Sequence, residues 1–104
     1  MILTVTLNTS IDKAYRISST LERGTVMRVA ECIDNAGGKG LNASRSVATC
    51  GEKVLSTGFV GGNNGRLLCE LLDRDKIPHD FVKVATETRC CVNVLEPDGL
   101  STEF

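Results

Sequence analysis

Three glycines and a lysine in "AGGKGLNASRSVATCG", residues 36–51, run straight into a segment patterned as a helix. Gly37, Gly38 and Gly40 leave the backbone open to an outside group. A helix start adds unpaired N–H groups and the positive end of the helix dipole. Asn42 falls in the first turn and can both donate and accept hydrogen bonds. A neutral polyol with an attached phosphate would use all of these. Nucleotide templates fit poorly. A Walker loop needs G-x-x-x-x-G-K-[ST], and here Lys39 is followed by Gly40. The dinucleotide fingerprint belongs directly after a first strand, about thirty residues earlier, and the second cluster, "GFVGGNNG", fails it too. A plain strand-to-helix turn using glycine's freedom is the bland alternative.

The bulk of the chain narrows the ligand class. The 104 residues are 41% hydrophobic and 24% charged, which suits one globular domain or a piece of a larger one. A net charge of −1 leaves no basic footprint for nucleic acid. "MILTVTL" lacks the basic start of a leader, and no apolar run nears the ~20 residues of a membrane helix. Neither a nucleic acid nor a membrane is expected as a partner. Cys32, Cys50, Cys69, Cys90 and Cys91 form no C-x-x-C pair, and His79 is the one histidine, so zinc ligands are too few. Reduced thiols in a cytoplasmic protein are expected, most of them packed as small hydrophobes.

The elements that must position the loop follow from apolar spacing. "MILTVTLN" reads as a buried first strand. "SIDKAYRIS" and "GTVMRVAECID" alternate apolar with polar residues, as strands with one wet face do. A helix follows the glycines, with small and apolar residues at Leu41, Ala43, Val47 and Ala48 and Gly51 placed to stop it. "KVLSTGFVGG" is a buried strand, and "GRLLCELLDRDK" is a helix presenting Leu67, Leu68, Leu71 and Leu72 on one face. "IPHDFVKV" reads as a short strand, and "PDG" joins "TRCCVNVLE" to "LSTEF" as a hairpin. Alternating strands and helices predict an α/β fold with a parallel sheet. The amphipathic strands, near 13–34 and 88–104, predict a small antiparallel lid beside it. The ending at "STEF" reads as a strand cut short.

Taken together these motifs resemble the PfkB carbohydrate kinases, a ribokinase-like family. Asn42, Ser44, Gly51 and Gly61 fit the spacing of its first signature. "TVTLNTSID", "GTVMRV", "TGFVGG" and "ETRCCVNVLEPDG" follow in the family's order over essentially the whole chain. The likeness is strongest to the 1-phosphofructokinase and tagatose-6-phosphate kinase branch. It implies the N-terminal part of a kinase domain, residues 1–104, with a ribokinase-like parallel sheet and a β lid. By the same resemblance Asp12 and Asn42 bind sugar hydroxyls, and Gly37 and Gly38 line the same pocket. Arg89, with Lys39 sharing, reads the phosphate already on the sugar, and Arg28 on an edge strand is a weaker candidate for a lid contact. Thr9 stands where relatives often carry proline, which predicts a looser turn before Asp12.

The activity implied is ATP-dependent phosphorylation of a ketohexose phosphate, fructose 1-phosphate or tagatose 6-phosphate, to the bisphosphate. ATP and Mg2+ are expected to bind mainly outside these residues. The family's catalytic aspartate lies in a "GAGD"-type motif, which this sequence lacks. No catalytic residue or metal ligand is therefore assigned here, and this chain alone is expected to be inactive. Lid strands of such kinases commonly pair between subunits, which implies a homodimer. The rival reading is a sugar-phosphate-binding module without catalysis, or a remnant.

Overall fold

The computed structural model describes residues 1–104, folded as two sheets and two helices. The first sheet is parallel, with β1 (Ile2–Thr6), β4 (Val54–Val60) and β5 (Val82–Lys83) in the order β1-β4-β5. The second has the order β3-β2-β6-β7, from β2 (Ser10–Arg16), β3 (Glu31–Gly37), β6 (Arg89–Leu95) and β7 (Ser101–Glu103). Helix α1 (Lys39–Thr49) lies on β1 and β4, and α2 (Gly62–Arg74) fills the angle between the sheets. The chain is thus α/β, with a lid sheet interleaved in sequence with the core.

Leu68, Leu71 and Leu72 of α2 bury themselves among Ile11, Ala36, Leu41, Val54, Val60 and Ile77. The four-leucine face read from the sequence is the one that packs, with Leu67 at its margin. Burying one such side chain stabilises the fold by about 1.5–3 kcal/mol. The cluster joins lid residues (Ile11, Ala36) to core residues, so it fixes the angle at which the two sheets meet.

Helix α1 packs differently from its apolar pattern. Ala43 and Ala48 are exposed, while Ser44 is fully buried. Its hydroxyl bonds Thr4 at 2.6 Å and Ser56 at 2.7 Å, linking helix to β1 and β4. A buried hydroxyl is tolerated when partnered, and here three satisfy one another. The other face of the parallel sheet carries no cover: Leu3, Val5, Leu7, Phe59 and Val82 are all exposed.

The lid departs from a purely antiparallel sheet. β2 pairs antiparallel with β3 but parallel with β6. The connection from β2 to β6 runs through β3, α1, β4, α2 and β5, a crossover long enough to bring the strand back in the same direction. β3 also starts later than its alternation predicts. Residues 24–30 are irregular and Val26 stands 95% exposed, so Arg28 is on no strand. The predicted strand in "IPHDFVKV" shrinks to Val82–Lys83 plus one bridge from His79 to Ser56. The "PDG" turn joins β6 to β7, with Asp98 accepting from the Leu100 N–H at 2.9 Å. None of the five cysteines is buried, contrary to the packing role expected, and all are free thiols.

Two cross-strand ion pairs brace the lid, Lys13 to Asp34 at 3.1 Å and the more exposed Arg16 to Glu31 at 3.3 Å. The hydrogen bond that Lys13 donates to Asp34, helped by the carboxylate's charge, raises the lysine above its ordinary value of 10.5. Whatever the Lys13–Asp34 pair contributes is therefore full below that value and lost only as pH climbs through the raised one. Both partners are partly solvated, so the contribution is small.

Candidate functional site

The chain crosses between the sheets three times, and the candidate residues gather at those crossings. Residues 7–9 lead from β1 into β2, Gly38 leads from β3 into α1, and residues 84–88 lead from β5 into β6. Asp12 is on β2 beside Asn35 of β3 and Cys91 of β6. Its Oδ1 accepts from the Ser10 hydroxyl at 2.7 Å, and no protein donor reaches Oδ2. A carboxylate oxygen kept partly dry and unpartnered is a ready acceptor for a ligand hydroxyl.

Gly37 explains how that carboxylate is placed. A Cβ built there would sit 2.2 Å from Asp12 Oδ2 and 2.4 Å from Oδ1. Glycine is what lets the carboxylate lie over the end of β3. Gly37→Ala is expected to swing the Asp12 side chain aside at little structural cost, because a flexible carboxylate moves more cheaply than backbone. The thermal midpoint should stay within a few degrees while ligand affinity falls as for loss of Asp12. Unchanged affinity would show the carboxylate position to be irrelevant.

Helix α1 starts at Gly38, whose φ of 118° few other residues adopt, and no side chain caps it. No acidic residue lies in its first turn, so the dipole's positive end is uncompensated. A cleft of about 290 Å³ opens there, lined by Asn8, Gly38, Lys39, Gly40 and Arg89 among others. Sequence-distant Lys39 and Arg89 thus share one cleft. The Thr6 hydroxyl, buried under Gly40, has no hydrogen-bond partner.

Arg89 makes no ion pair. Its Nε donates to Asn8 Oδ1 at 3.1 Å, Nη2 to the Asn8 carbonyl at 3.4 Å, and Nη1 to the Cys91 sulfur at 2.8 Å. Asn42 is exposed, and its side-chain oxygen Oδ1 accepts from Arg45, which also donates to the Ala36 carbonyl. That leaves the Asn42 amide N–H groups for a ligand. Asn8 and Arg45 lie inside the quoted motifs, but neither was given a role there, since each acts on another side chain. Arg28 is exposed and bonded to none of these residues.

The turn before Asp12 is tight rather than loose. Thr9 is 4% exposed, and its hydroxyl donates to the Phe59 carbonyl of β4 at 2.7 Å. That bond pins the crossing where proline would have stiffened it.

The second glycine-rich helix start is closed. Glu87 Oε1 accepts from the Asn64 N–H in the first turn of α2 at 2.7 Å, and the Asn64 amide donates to the Thr88 carbonyl. An internal carboxylate already holds the position a phosphate would take. These residues do not fit a nucleotide with its metal. Larger clefts, of about 400 and 450 Å³, lie against α2 and at the far end of β4. Each of these is also lined by two cations, Arg66 with Lys83 and Lys53 with Lys76, but each holds a carboxylate as well, Glu70 or Glu52. The cleft at the α1 start has Lys39 and Arg89 and no acidic residue in its lining.

Comparison with known proteins agrees with this picture. A family model described as pfkB family carbohydrate kinase matches residues 5–103. Phosphofructokinase-2 from Escherichia coli, solved with fructose-6-phosphate, superposes with a TM-score of 0.92 at 27% identity. That match covers 99% of this chain and 34% of that one. A possible 1-phosphofructokinase from Thermotoga maritima superposes at 0.88 with 32% identity, covering 100% of this chain and 34% of that one. The chain therefore spans about a third of the length of the solved structures it matches.

Proposed function

Because the chain belongs to the pfkB family of carbohydrate kinases, we propose that its sheet joint is the acceptor site for a phosphorylated ketohexose. The parent activity is transfer of the γ-phosphoryl of ATP, with Mg2+, onto the sugar's free hydroxymethyl. Phosphoryl transfer rests mainly on positioning and charge stabilisation, and this part of the kinase supplies the positioning. ATP and its metal bind elsewhere in the kinase domain, since both helix starts here are committed to other tasks.

One observation carries the reading. Arg89 and Asp12 lie on one face of the lid, with Ser10 opposite Arg89 and Cys91 opposite Asp12 on paired parallel strands. Strands about 4.8 Å apart and a two-residue step of about 6.6 Å put their Cα atoms roughly 8 Å from each other. A hexose phosphate is long enough for its phosphate to reach Arg89 and Lys39 while a ring or chain hydroxyl reaches Asp12. Gly37, Gly38 and Asn42 wall the same ligand. Fructose 1-phosphate and tagatose 6-phosphate both fit the description, as does the fructose-6-phosphate of the Escherichia coli neighbour. A homodimer through the lid edges goes with this reading, and Arg28 would then meet the site only across that pairing.

The test is calorimetric titration of the chain with fructose 1-phosphate and with fructose. A lost hydrogen bond to a charged group costs about 1.5–3 kcal/mol, so Asp12→Ala should weaken both ligands ten-fold or more. Arg89→Lys keeps the charge and loses the planar fork, so it should weaken only the phosphorylated sugar. Equal losses for both sugars in Arg89→Lys would mean that Arg89 is structural, and no loss in Asp12→Ala would end the assignment.

A further inference from the structure

Arg89 has five N–H donors and only three partners, and the partners differ in quality. The Nε–Nη2 edge is taken by a single residue, Asn8, through its side-chain and backbone oxygens. Only acceptor oxygens can meet a guanidinium there, so the Asn8 side chain is fixed with Oδ1 inward. At the other end Nη1 meets a thiol, and sulfur is a weak acceptor.

We infer that Asn8 is a positioning residue: it holds Arg89 by one edge so that the Nη1–Nη2 end faces the α1 cleft, where a phosphate oxygen displaces the Cys91 sulfur. This rests on the acceptor-site reading and adds a residue to it. The arrangement matters because Arg89 is exposed at the mouth of a strand and its side chain is otherwise restrained only by the weak contact to the Cys91 sulfur. An arginine left free would have to be immobilised by the ligand, which costs affinity. Asn8 removes most of that cost beforehand. It is neutral, so it orients the guanidinium without neutralising it, where a carboxylate would compete with the phosphate. Asn8 sits on the crossing from β1 into β2 and Arg89 at the start of β6. Their bond also ties two of the three crossings together at the cleft.

The experiment follows the Arg89 Nε–H signal by nitrogen-15 NMR in the 104-residue chain, with Asn8→Ala, Asn8→Asp and Arg89→Ala variants. In the parent chain the Nε–H should exchange slowly with water before any ligand is added. Asn8→Ala should abolish that protection and weaken fructose 1-phosphate by roughly three- to ten-fold, with fructose binding unchanged. Asn8→Asp should keep the protection yet weaken the phosphosugar, because the carboxylate now pairs with the guanidinium. Preserved backbone dispersion in each variant separates these effects from misfolding. If Arg89→Ala weakens the phosphosugar and Asn8→Ala does not, the positioning role is overturned and the acceptor site stands. If Arg89→Ala changes nothing, or the parent chain binds no phosphosugar at millimolar concentration, the acceptor-site reading fails and takes this one with it.

Discussion

Incubated with Mg-ATP and a ketohexose phosphate, the 104-residue chain is expected to bind the sugar phosphate and transfer nothing to it. On the proposed reading binding requires only the joint between the sheets, where Lys39 and Arg89 share a cleft and Asp12 lies on the same lid face as Arg89. Transfer also requires a base for the acceptor hydroxyl and donors for the moving phosphoryl group. The sequence has no "GAGD"-type aspartate, and the start of α2 is stoppered by Glu87. General-base catalysis is worth about 10² or more, and stabilisation of developing charge about as much. Losing both lowers the rate by about 10⁴, from the 1–100 s⁻¹ usual for kinases to well below detection in a coupled assay. The measurement is product formation with fructose 1-phosphate and with tagatose 6-phosphate, using protein freed of contaminating kinase. Turnover near 1 s⁻¹ would show that these residues hold the whole chemistry. Binding without turnover is equally what a binding module would give. Adding the remaining part of a relative's kinase domain separates the two, since only an acceptor site regains activity.

The sequence disclosed what depends on neighbouring residues and hid what depends on distant ones. Leu67, Leu68, Leu71 and Leu72 announce α2 because helical periodicity is local. "PDG" announces its hairpin for the same reason. The segment 24–30 alternates just as a strand would, yet alternation cannot reveal whether a partner strand is present, and there the partner is missing. Ser44 reads as a surface residue until Thr4 and Ser56 arrive from two other elements to bond its hydroxyl. The site divides in the same way. Asp12 and the glycines carry motif spacing, so they were legible. Asn8 acts on a side chain 81 positions away, and Glu87 on a helix 23 positions back, and no local pattern encodes either contact. Thr9 was legible as a departure from proline but not as a cure, because its acceptor belongs to β4.

Gly58→Ala is expected to remove most of the stability of the isolated chain. Gly58 lies on β4 opposite Thr6 of β1, with a φ of 152°. A Cβ there would stand 1.8 Å from the Thr6 carbonyl oxygen and 2.7 Å from its carbon. Those atoms are backbone and cannot swing away as the Asp12 carboxylate can. Relief requires β1 to part from β4, and β4 is the only strand that β1 pairs with. The uncovered face of Leu3, Val5 and Phe59 then offers nothing to hold β1 in place. A strained backbone costs about 1–3 kcal/mol and overpacking a similar amount. A chain of this length has roughly 5 kcal/mol at the low end of the normal range, so the two together nearly exhaust it. Gly24→Ala is the matched control, because its φ is also positive, +75°, and an added Cβ meets nothing within 4 Å. Urea unfolding followed by circular dichroism should give Gly24→Ala a cooperative transition shifted by about 1 kcal/mol. Gly58→Ala should show a transition lowered by more than 3 kcal/mol or none at all, together with binding of an apolar dye. A loss below about 1 kcal/mol would mean that β1 can shift without cost, and the parallel pairing of β1 with β4 would not be what anchors the joint.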